Sequence, residues 1–351
     1  MILATLNKYL SARQKERILG SLPYRCYSRL LLKSHEVRFS CELTTKCNVS
    51  CDMCTRAELV KMGGLHVTDM PENLIGRILE EMGKFLAAGR RVYFVPMGLG
   101  EPLLFKGLFD LFRRVKNISK DIGIVLVTNG VLFDEKAARE TLDCGVDEVC
   151  VSLNACDETR YKQHMKFDAY ENVCRNIENF IRMRNNAEFK RPSVFIQFID
   201  YDKDHVLFEK EIKKWRGILS GEDKYFIHPV VNQAGFSCSG NSYKNQIKNH
   251  PCSQPLWRVA IKVNGDMYPC DPALYSGAQK IESLFLGNIS QESPLEIFNS
   301  LDNKILKIIT SMRKDDYSWL PECKKCNTYK LGCNCFFELP KFLRFKGYRW
   351  I

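Results

Sequence analysis

From residue 36 the chain settles into a regular alternation of short, β-rich apolar runs and longer stretches with apolar residues at helical spacing. The runs 37–43, 92–95, 122–127, 148–153, 193–199 and 225–231 are rich in valine, isoleucine and aromatic residues and read as strands. Between them, stretches near 72–88, 104–117, 134–144, 168–184 and 203–218 read as helices. In the second of these, Leu108, Leu111, Phe112 and Val115 pair at helical spacing. Strands alternating with helices predict right-handed βαβ crossovers and a parallel sheet of about six units, an α/β fold. In such folds chemistry gathers at the carboxyl ends of the strands.

Near residue 236 the alternation stops. Gly235, Ser237, Ser239, Gly240, Asn241 and Ser242 form a polar boundary stretch. Beyond it the run from Val259 to Tyr268 reads as a hairpin with Asn264-Gly265 as its tight turn. A further helix is expected to open at Ser293-Pro294, with serine as N-cap and proline at the first helical position. The expected organisation is a basic extension (1–35), a core (36–235), a small cysteine-rich C-terminal domain (236–340) and a basic tail (341–351).

The chain has 351 residues and a net charge of +11, unevenly spread. Residues 1–39 carry eight Lys/Arg against two Glu, and residues 336–351 carry four against one, so the ends account for +9. This points away from a nucleic-acid groove through the core. It leaves either a solvated basic face or a peripheral contact of the N-terminus with an anionic surface such as a membrane. No apolar run approaches the roughly 20 residues of a membrane span, and the N-terminus lacks the pattern of a signal peptide. Sixteen cysteines in such a chain point to metal or redox chemistry in a reducing, cytoplasmic setting rather than to disulfides.

The cysteines are grouped. Cys47, Cys51 and Cys54 stand at i, i+4 and i+7 directly after the first strand. Three thiolates on one loop suit a soft metal centre and leave a coordination position open; a zinc site completed by a distant residue is the other reading. Cys252 and Cys270 flank the hairpin, and Cys323 and Cys326 follow as a Cys-x2-Cys pair, with Cys333 and Cys335 beyond. Two paired elements could also make a zinc ribbon, so a zinc-stapled, non-catalytic binding protein stays open at this point. Polar groups fall at the ends of the other strands: Gly98, Gly100 and Glu101 after the second, Thr128 and Asn129 after the third, and Ser152 and Asn154 at the fourth. Gln197 lies on the fifth and Asn232 after the sixth. Turn and capping roles would account for several of these equally well.

The Cys-x3-Cys-x2-Cys spacing resembles the signature of the radical S-adenosylmethionine (radical SAM) enzymes. The resemblance implies a partial (β/α)6 TIM-like barrel in which Cys47, Cys51 and Cys54 hold a 4Fe-4S cluster. The amino and carboxylate groups of SAM would bind its fourth iron. The position before the last cysteine, usually aromatic in that family, is Met53. Met97-Gly98-Leu99-Gly100-Glu101-Pro102 resembles the family's Gly-Gly-Glu-Pro, with Leu99 in place of the first glycine. The polar strand ends would then meet the SAM amino group, ribose or carboxylate. The Gly-x4-Cys spacing and cysteine order resemble the SPASM/Twitch extension of such enzymes. That resemblance implies one auxiliary 4Fe-4S cluster on Cys252, Cys270, Cys323 and Cys326.

On this reading the chain cleaves SAM reductively to a 5′-deoxyadenosyl radical and abstracts a hydrogen atom from an unactivated C–H bond. Oxidation or bond formation on a small molecule, sugar or peptide would follow, with flavodoxin or ferredoxin as electron donor. Epimerisation, with Cys238 as hydrogen donor, is the alternative outcome.

Overall fold

Val37, Phe39 and Cys41 alternate with Arg38 and Ser40 along the first strand, and all five are buried. The first set joins the main apolar core, so the second faces the opposite side of the sheet. In the computed structural model, residues 36–187, 191–201, 205–236, 252–300 and 303–327 are described, the side chains of 205–207 aside. The expected extension 1–35 and tail 341–351 lie outside the described residues, as do Cys238, Cys333 and Cys335.

All six expected strands are present: β1 (Glu36–Cys41), β2 (Arg91–Pro96), β3 (Gly123–Thr128), β4 (Glu148–Ser152), β5 (Ser193–Asp200) and β6 (Lys224–Pro229). Each is parallel to the next. The expected helices between them are α2 (Glu72–Ala87), α3 (Leu108–Ile118), α4 (Glu135–Asp143), α6 (Tyr170–Asn186) and α7 (His205–Arg216). Two short helices were not expected, α1 (Arg56–Lys61) and α5 (Glu158–Met165). Asp134 and Asp157 start α4 and α5 by accepting from the amides of Ala137 and Arg160 (2.9 and 2.8 Å). On α2, Ile75, Ile78, Met82 and Phe85 form one buried face, and the Phe85 ring meets Phe39 edge-on at 5.5 Å.

The C-terminal part does not stand apart from this sheet. The hairpin strands β7 (Arg258–Ile261) and β8 (Asp266–Tyr268) are followed by β9 (Gly287–Asn288), and β7 pairs parallel with β1. The result is one nine-stranded sheet, β6-β5-β4-β3-β2-β1-β7-β8-β9. The expected turn is there, with Gly265 at φ 89°. Helix α8 (Pro294–Asn299) opens as expected, Ser293 capping it, and its Phe298 packs against Phe85 at 5.8 Å. Then come α9 (Lys304–Arg313) and α10 (Pro321–Lys325). The apolar core therefore runs from the α/β units into the hairpin, whereas a second small core gathers Tyr268, Leu274, Leu284, Ile308, Met312 and Cys323.

The side of the sheet away from the helices is polar and aromatic. The Arg38 guanidinium lies over Tyr93 at 4.4 Å, and Arg258 lies over Trp257 at 4.4 Å while donating to Ser40 (2.9 Å). The sheet also curls. The loop after β1 reaches the segments following β4 and β5, because Asp52 bonds His164 and the His164 ring stacks on Tyr201.

Candidate functional site

The loop after β1 is fastened before the first cysteine. Thr45 is buried; its hydroxyl donates to the carbonyl of His66 (2.8 Å) and accepts from the amide of Thr68 (2.8 Å). Thr44 donates to Asp69 (2.6 Å), and Lys46 forms an ion pair with the same carboxylate (2.7 Å). The Arg56 guanidinium donates to the carbonyl of Thr45 (2.6 Å), tying the far end of the loop to its start. Within this frame Cys47, Cys51 and Cys54 are all partly buried and free of disulfides.

Burial pushes all three thiols up, Cys51 well above the usual range and Cys54 to about 11. The negative charge of Cys54 and Cys47 adds to the effect at Cys51, and that of Cys47 at Cys54. Three mutually repelling thiolates on a half-buried loop are the donor set that a cation stabilises when it replaces their protons.

A second set lies beyond the hairpin. Cys252, Cys270, Cys323 and Cys326 line one cavity, whose wall includes Leu284 and Met312. The Cys270 thiol is raised well above its ordinary range by burial first and then by the charges of Cys323, Cys252 and Cys326. Four thiols on one apolar hollow fit a four-thiolate iron–sulfur cluster. No group of three or more His, Cys, Asp or Glu among the described residues is placed to hold a single metal ion. The two sets are linked through Thr55, next to Cys54, whose hydroxyl donates to the carbonyl of Tyr275 (2.8 Å), five residues after Cys270.

The expected cofactor-contacting residues fall at the carboxyl ends of the strands, and several are already engaged. Glu101 is buried, and its carboxylate accepts from Thr128 (2.7 Å), the Asn129 amide (2.8 Å) and the Leu103 amide (3.2 Å). Burial raises its pKa while these bonds lower it. Glu101 and Thr128 thus fasten the turn after β2 to the end of β3, and Asn129 reaches on to Asn48 beside Cys47 (2.8 Å). Asn48 Nδ2 itself is buried without a partner. Gly100 passes so close to the cysteine loop that a Cβ there would lie 2.0 Å from the Thr44 carbonyl oxygen. Gly98 lies against Glu42. Asn154 holds φ 59° and its side chain accepts from Gln197 (3.3 Å), while Ser152 is partly exposed one strand position below Leu153. Asn232 is turned to another use: its side chain is bonded to Lys325 (2.7 Å) and to the Asn327 amide (3.1 Å).

Several residues at the site carried no readable signal. Buried Glu42 accepts from the amides of Leu99 (3.0 Å) and Val263 (3.2 Å), joining the turns after β2 and β7. Lys262 spends its ammonium on Ser276, Gly277 and Gln279 (2.5, 2.7 and 3.0 Å) and anchors the segment that follows Cys270. Each is a single charged residue in sequence, and only the fold gives it partners.

A profile of the radical SAM superfamily matches residues 41–190, and one of the SPASM iron–sulfur cluster-binding domain matches residues 252–327. The first match contains the three-cysteine loop, and the second contains all four cysteines of the cavity. The chain belongs to the radical SAM superfamily. It is a radical SAM enzyme with a C-terminal SPASM domain, and its cofactors are SAM, a 4Fe-4S cluster and auxiliary iron–sulfur. Both matches are to iron–sulfur families, which removes the zinc-stapled reading.

Among relatives, the chain is 21% identical over 321 residues to the tungsten-containing aldehyde ferredoxin oxidoreductase cofactor-modifying protein of Pyrococcus furiosus. That alignment covers 82% of this chain and 86% of the relative. It is 29% identical over 168 residues to GTP 3′,8-cyclase of Clostridium perfringens, covering 47% of this chain and 48% of the cyclase. Among solved structures, anSMEcpe with bound AdoMet aligns with a TM-score of 0.57 at 15% identity, over 84% of this chain and 88% of that one. BtrN in complex with AdoMet and 2-DOIA aligns at 0.53 and 16%, over 83% and 93%. The two structural likenesses show that the radical SAM enzyme shares their fold.

Proposed function

We propose that this enzyme abstracts a hydrogen atom from an unactivated C–H bond of a small molecule, sugar or peptide, with net oxidation or bond formation. When bound, the cluster and SAM supply the 5′-deoxyadenosyl radical. On this reading Cys47, Cys51 and Cys54 hold that cluster, and Cys252, Cys270, Cys323 and Cys326 hold one auxiliary cluster. The turn of Gly98, Gly100 and Glu101 and the strand ends at Thr128, Asn129, Ser152, Asn154 and Gln197 form the wall against which SAM lies. Glu101 fixes the wall there, its Oε1 accepting from the Thr128 hydroxyl and the Leu103 amide and its Oε2 from the Asn129 amide, which leaves an acceptor site on Oε2. A low-potential carrier of the flavodoxin or ferredoxin kind delivers the electron.

The observation that carries this reading is the Thr55–Tyr275 hydrogen bond. It ties the segment after Cys54 to the segment after Cys270, and the strands that precede these segments, β1 and β7, pair with each other; this supports an auxiliary centre in the same body as the radical site, able to accept an electron from a substrate radical. The names of the relatives are consistent with a small-molecule, cofactor or peptide substrate: a cofactor-modifying protein, and SuiB of Streptococcus suis, solved with precursor peptide SuiA.

The test is label transfer. Deuterated candidate substrates of each class are incubated with reconstituted enzyme, SAM and dithionite. Deuterium in 5′-deoxyadenosine and a product two hydrogens lighter are expected for the true class. Product lighter by one mass unit, its transferred deuterium replaced by a solvent-derived hydrogen, would instead mean epimerisation. No deuterium transfer from any class would overturn the assignment of substrate.

A further inference from the structure

Besides Asn48 Nδ2 on the first cysteine loop itself, polar atoms on the segments packed against that loop are buried without a partner, among them Tyr161 Oη, Tyr201 Oη and His164 Nε2. A buried hydroxyl left without an acceptor costs about 1–3 kcal/mol, so several such groups about one loop ask for an explanation. Tyr161 and His164 stand at i and i+3 on α5 and face the same way. Tyr201 directly follows β5, and its ring lies flat on the His164 imidazole, 3.5 Å between centroids and 3° between planes. His164 in turn holds Asp52, the neighbour of Cys51, at two points. Its carbonyl accepts from the Asp52 amide (2.9 Å), and its Nδ1 meets the Asp52 carboxylate (2.7 Å). The Tyr161 ring is set by an edge-on contact with Tyr170 at 5.8 Å.

Chemistry separates the three groups. The Asp52 carboxylate accepts, so Nδ1 of His164 carries a proton and is committed to holding the loop. The two phenols are donors. The charge of Cys51 bears on both Tyr161 and Tyr201, and a phenol with an ordinary pKa of about 10 keeps its proton at neutral pH. A metal-loaded thiolate carries the negative charge these hydroxyls lack as a partner.

We propose that Tyr161 and Tyr201 donate hydrogen bonds to the sulfur of Cys51 or the cluster sulfide beside it, and so raise the reduction potential of the SAM-binding cluster. His164 is a positioning residue, holding the Tyr201 ring by stacking and the loop through Asp52. Donors to cluster sulfur favour the reduced state because it carries one more negative charge. The inference rests on the reading that Cys47, Cys51 and Cys54 hold that cluster.

The test is an EPR-monitored redox titration of the two-cluster enzyme with dithionite, following the reduced signal that shifts when SAM is added. Tyr161→Phe and Tyr201→Phe are each expected to lower the equilibrium constant for one-electron reduction about tenfold, about 59 mV. The double variant should lower it further. Tyr170→Phe, which loses a hydroxyl in the same core but faces Cys174 and Glu211, serves as the control and should leave the potential unchanged. An equilibrium constant for reduction within twofold of wild type in both Phe variants, with the SAM-responsive signal intact, would overturn the inference and leave the cluster assignment standing. Absence of any SAM-responsive signal from the wild-type enzyme would overturn both. Should a Phe variant fail to take up iron, replacement of the tyrosines by 3-fluorotyrosine gives a more acidic phenol. That enzyme must show a raised potential, and an unchanged one counts against the inference.

Discussion

Asn232 and Asn327 clasp each other. The Asn232 amide donates to the Asn327 side-chain oxygen (2.8 Å), and the Asn327 amide donates back to the Asn232 side-chain oxygen (3.1 Å). The remaining side-chain donor of Asn232 goes to the carbonyl of Lys325 (2.7 Å). One residue after Cys326 is thereby locked to the end of the α/β core. Asn232→Ala keeps the backbone amide that donates to Asn327 but removes the side-chain partners of the Asn327 amide and the Lys325 carbonyl, a cost of about 1–3 kcal/mol. Auxiliary iron should be lost faster to a chelator, with the SAM-responsive cluster unaffected. Equal release rates in wild type and variant would show that the clasp does not hold the cysteine pair.

The close approach at Gly100 gives a second expectation. Gly100→Ala drives a methyl group into the backbone of Thr44 and Lys46, 2.0 and 2.8 Å from their carbonyl oxygens. Backbone cannot rotate away as a side chain can, so the loss should reach about 3 kcal/mol and the cysteine loop should fail to retain iron. Gly76→Ala, in α2 with nothing within 4 Å, should instead stabilise by about 0.5–1 kcal/mol. Urea midpoints of the two reconstituted variants check the pair, and similar midpoints would contradict it.

Glu148, on the polar side of β4, supplies a pH dependence. Burial pushes its carboxyl up to about 7, with nearby Arg38 lowering it and Asp147 raising it, and its Oε2 is buried without a partner. Unfolded, the group titrates near 4.3. Between those values the folded chain holds the extra proton, so stability falls as pH rises through this window. Glu148→Gln removes the dependence. The variant should gain roughly 2–3 kcal/mol relative to wild type between pH 5 and pH 8. A difference that does not change with pH would show that Glu148 is not held protonated.

The iron count follows from the two cysteine sets. Reconstituted enzyme should hold about eight irons, and the Cys47/Cys51/Cys54 triple alanine variant about four, by the arithmetic of two four-iron clusters. Loss of auxiliary iron is expected on replacing Cys323 and Cys326. Full retention there, with loss on replacing Cys333 and Cys335, would show that the other pair ligates.

Much of this architecture is legible before folding because it rests on local signals. The six strands carry continuous β-branched runs, the turn is marked by Asn264-Gly265, and Ser293-Pro294 announces α8. The ligand cysteines are legible through spacing alone. What stayed hidden is non-local. The pairing of β7 with β1 joins residues some 220 positions apart through a four-residue strand that names no partner. It joins the hairpin of the C-terminal domain to the sheet of the α/β core. Asn232 reads as a polar rim group, and only the folded chain shows it spent on Asn327. Glu42, Asp52, His164 and Tyr201 are single polar or aromatic residues with no pattern around them, and their relation exists only once the sheet curls.

The central claim is that Cys47, Cys51 and Cys54 carry the radical-generating centre, and the direct measurement is 5′-deoxyadenosine formed from SAM by anaerobically reconstituted enzyme under dithionite. Wild type should produce it, and the triple alanine variant should produce none while retaining its auxiliary iron and its fold. Undiminished 5′-deoxyadenosine from that variant would contradict the account.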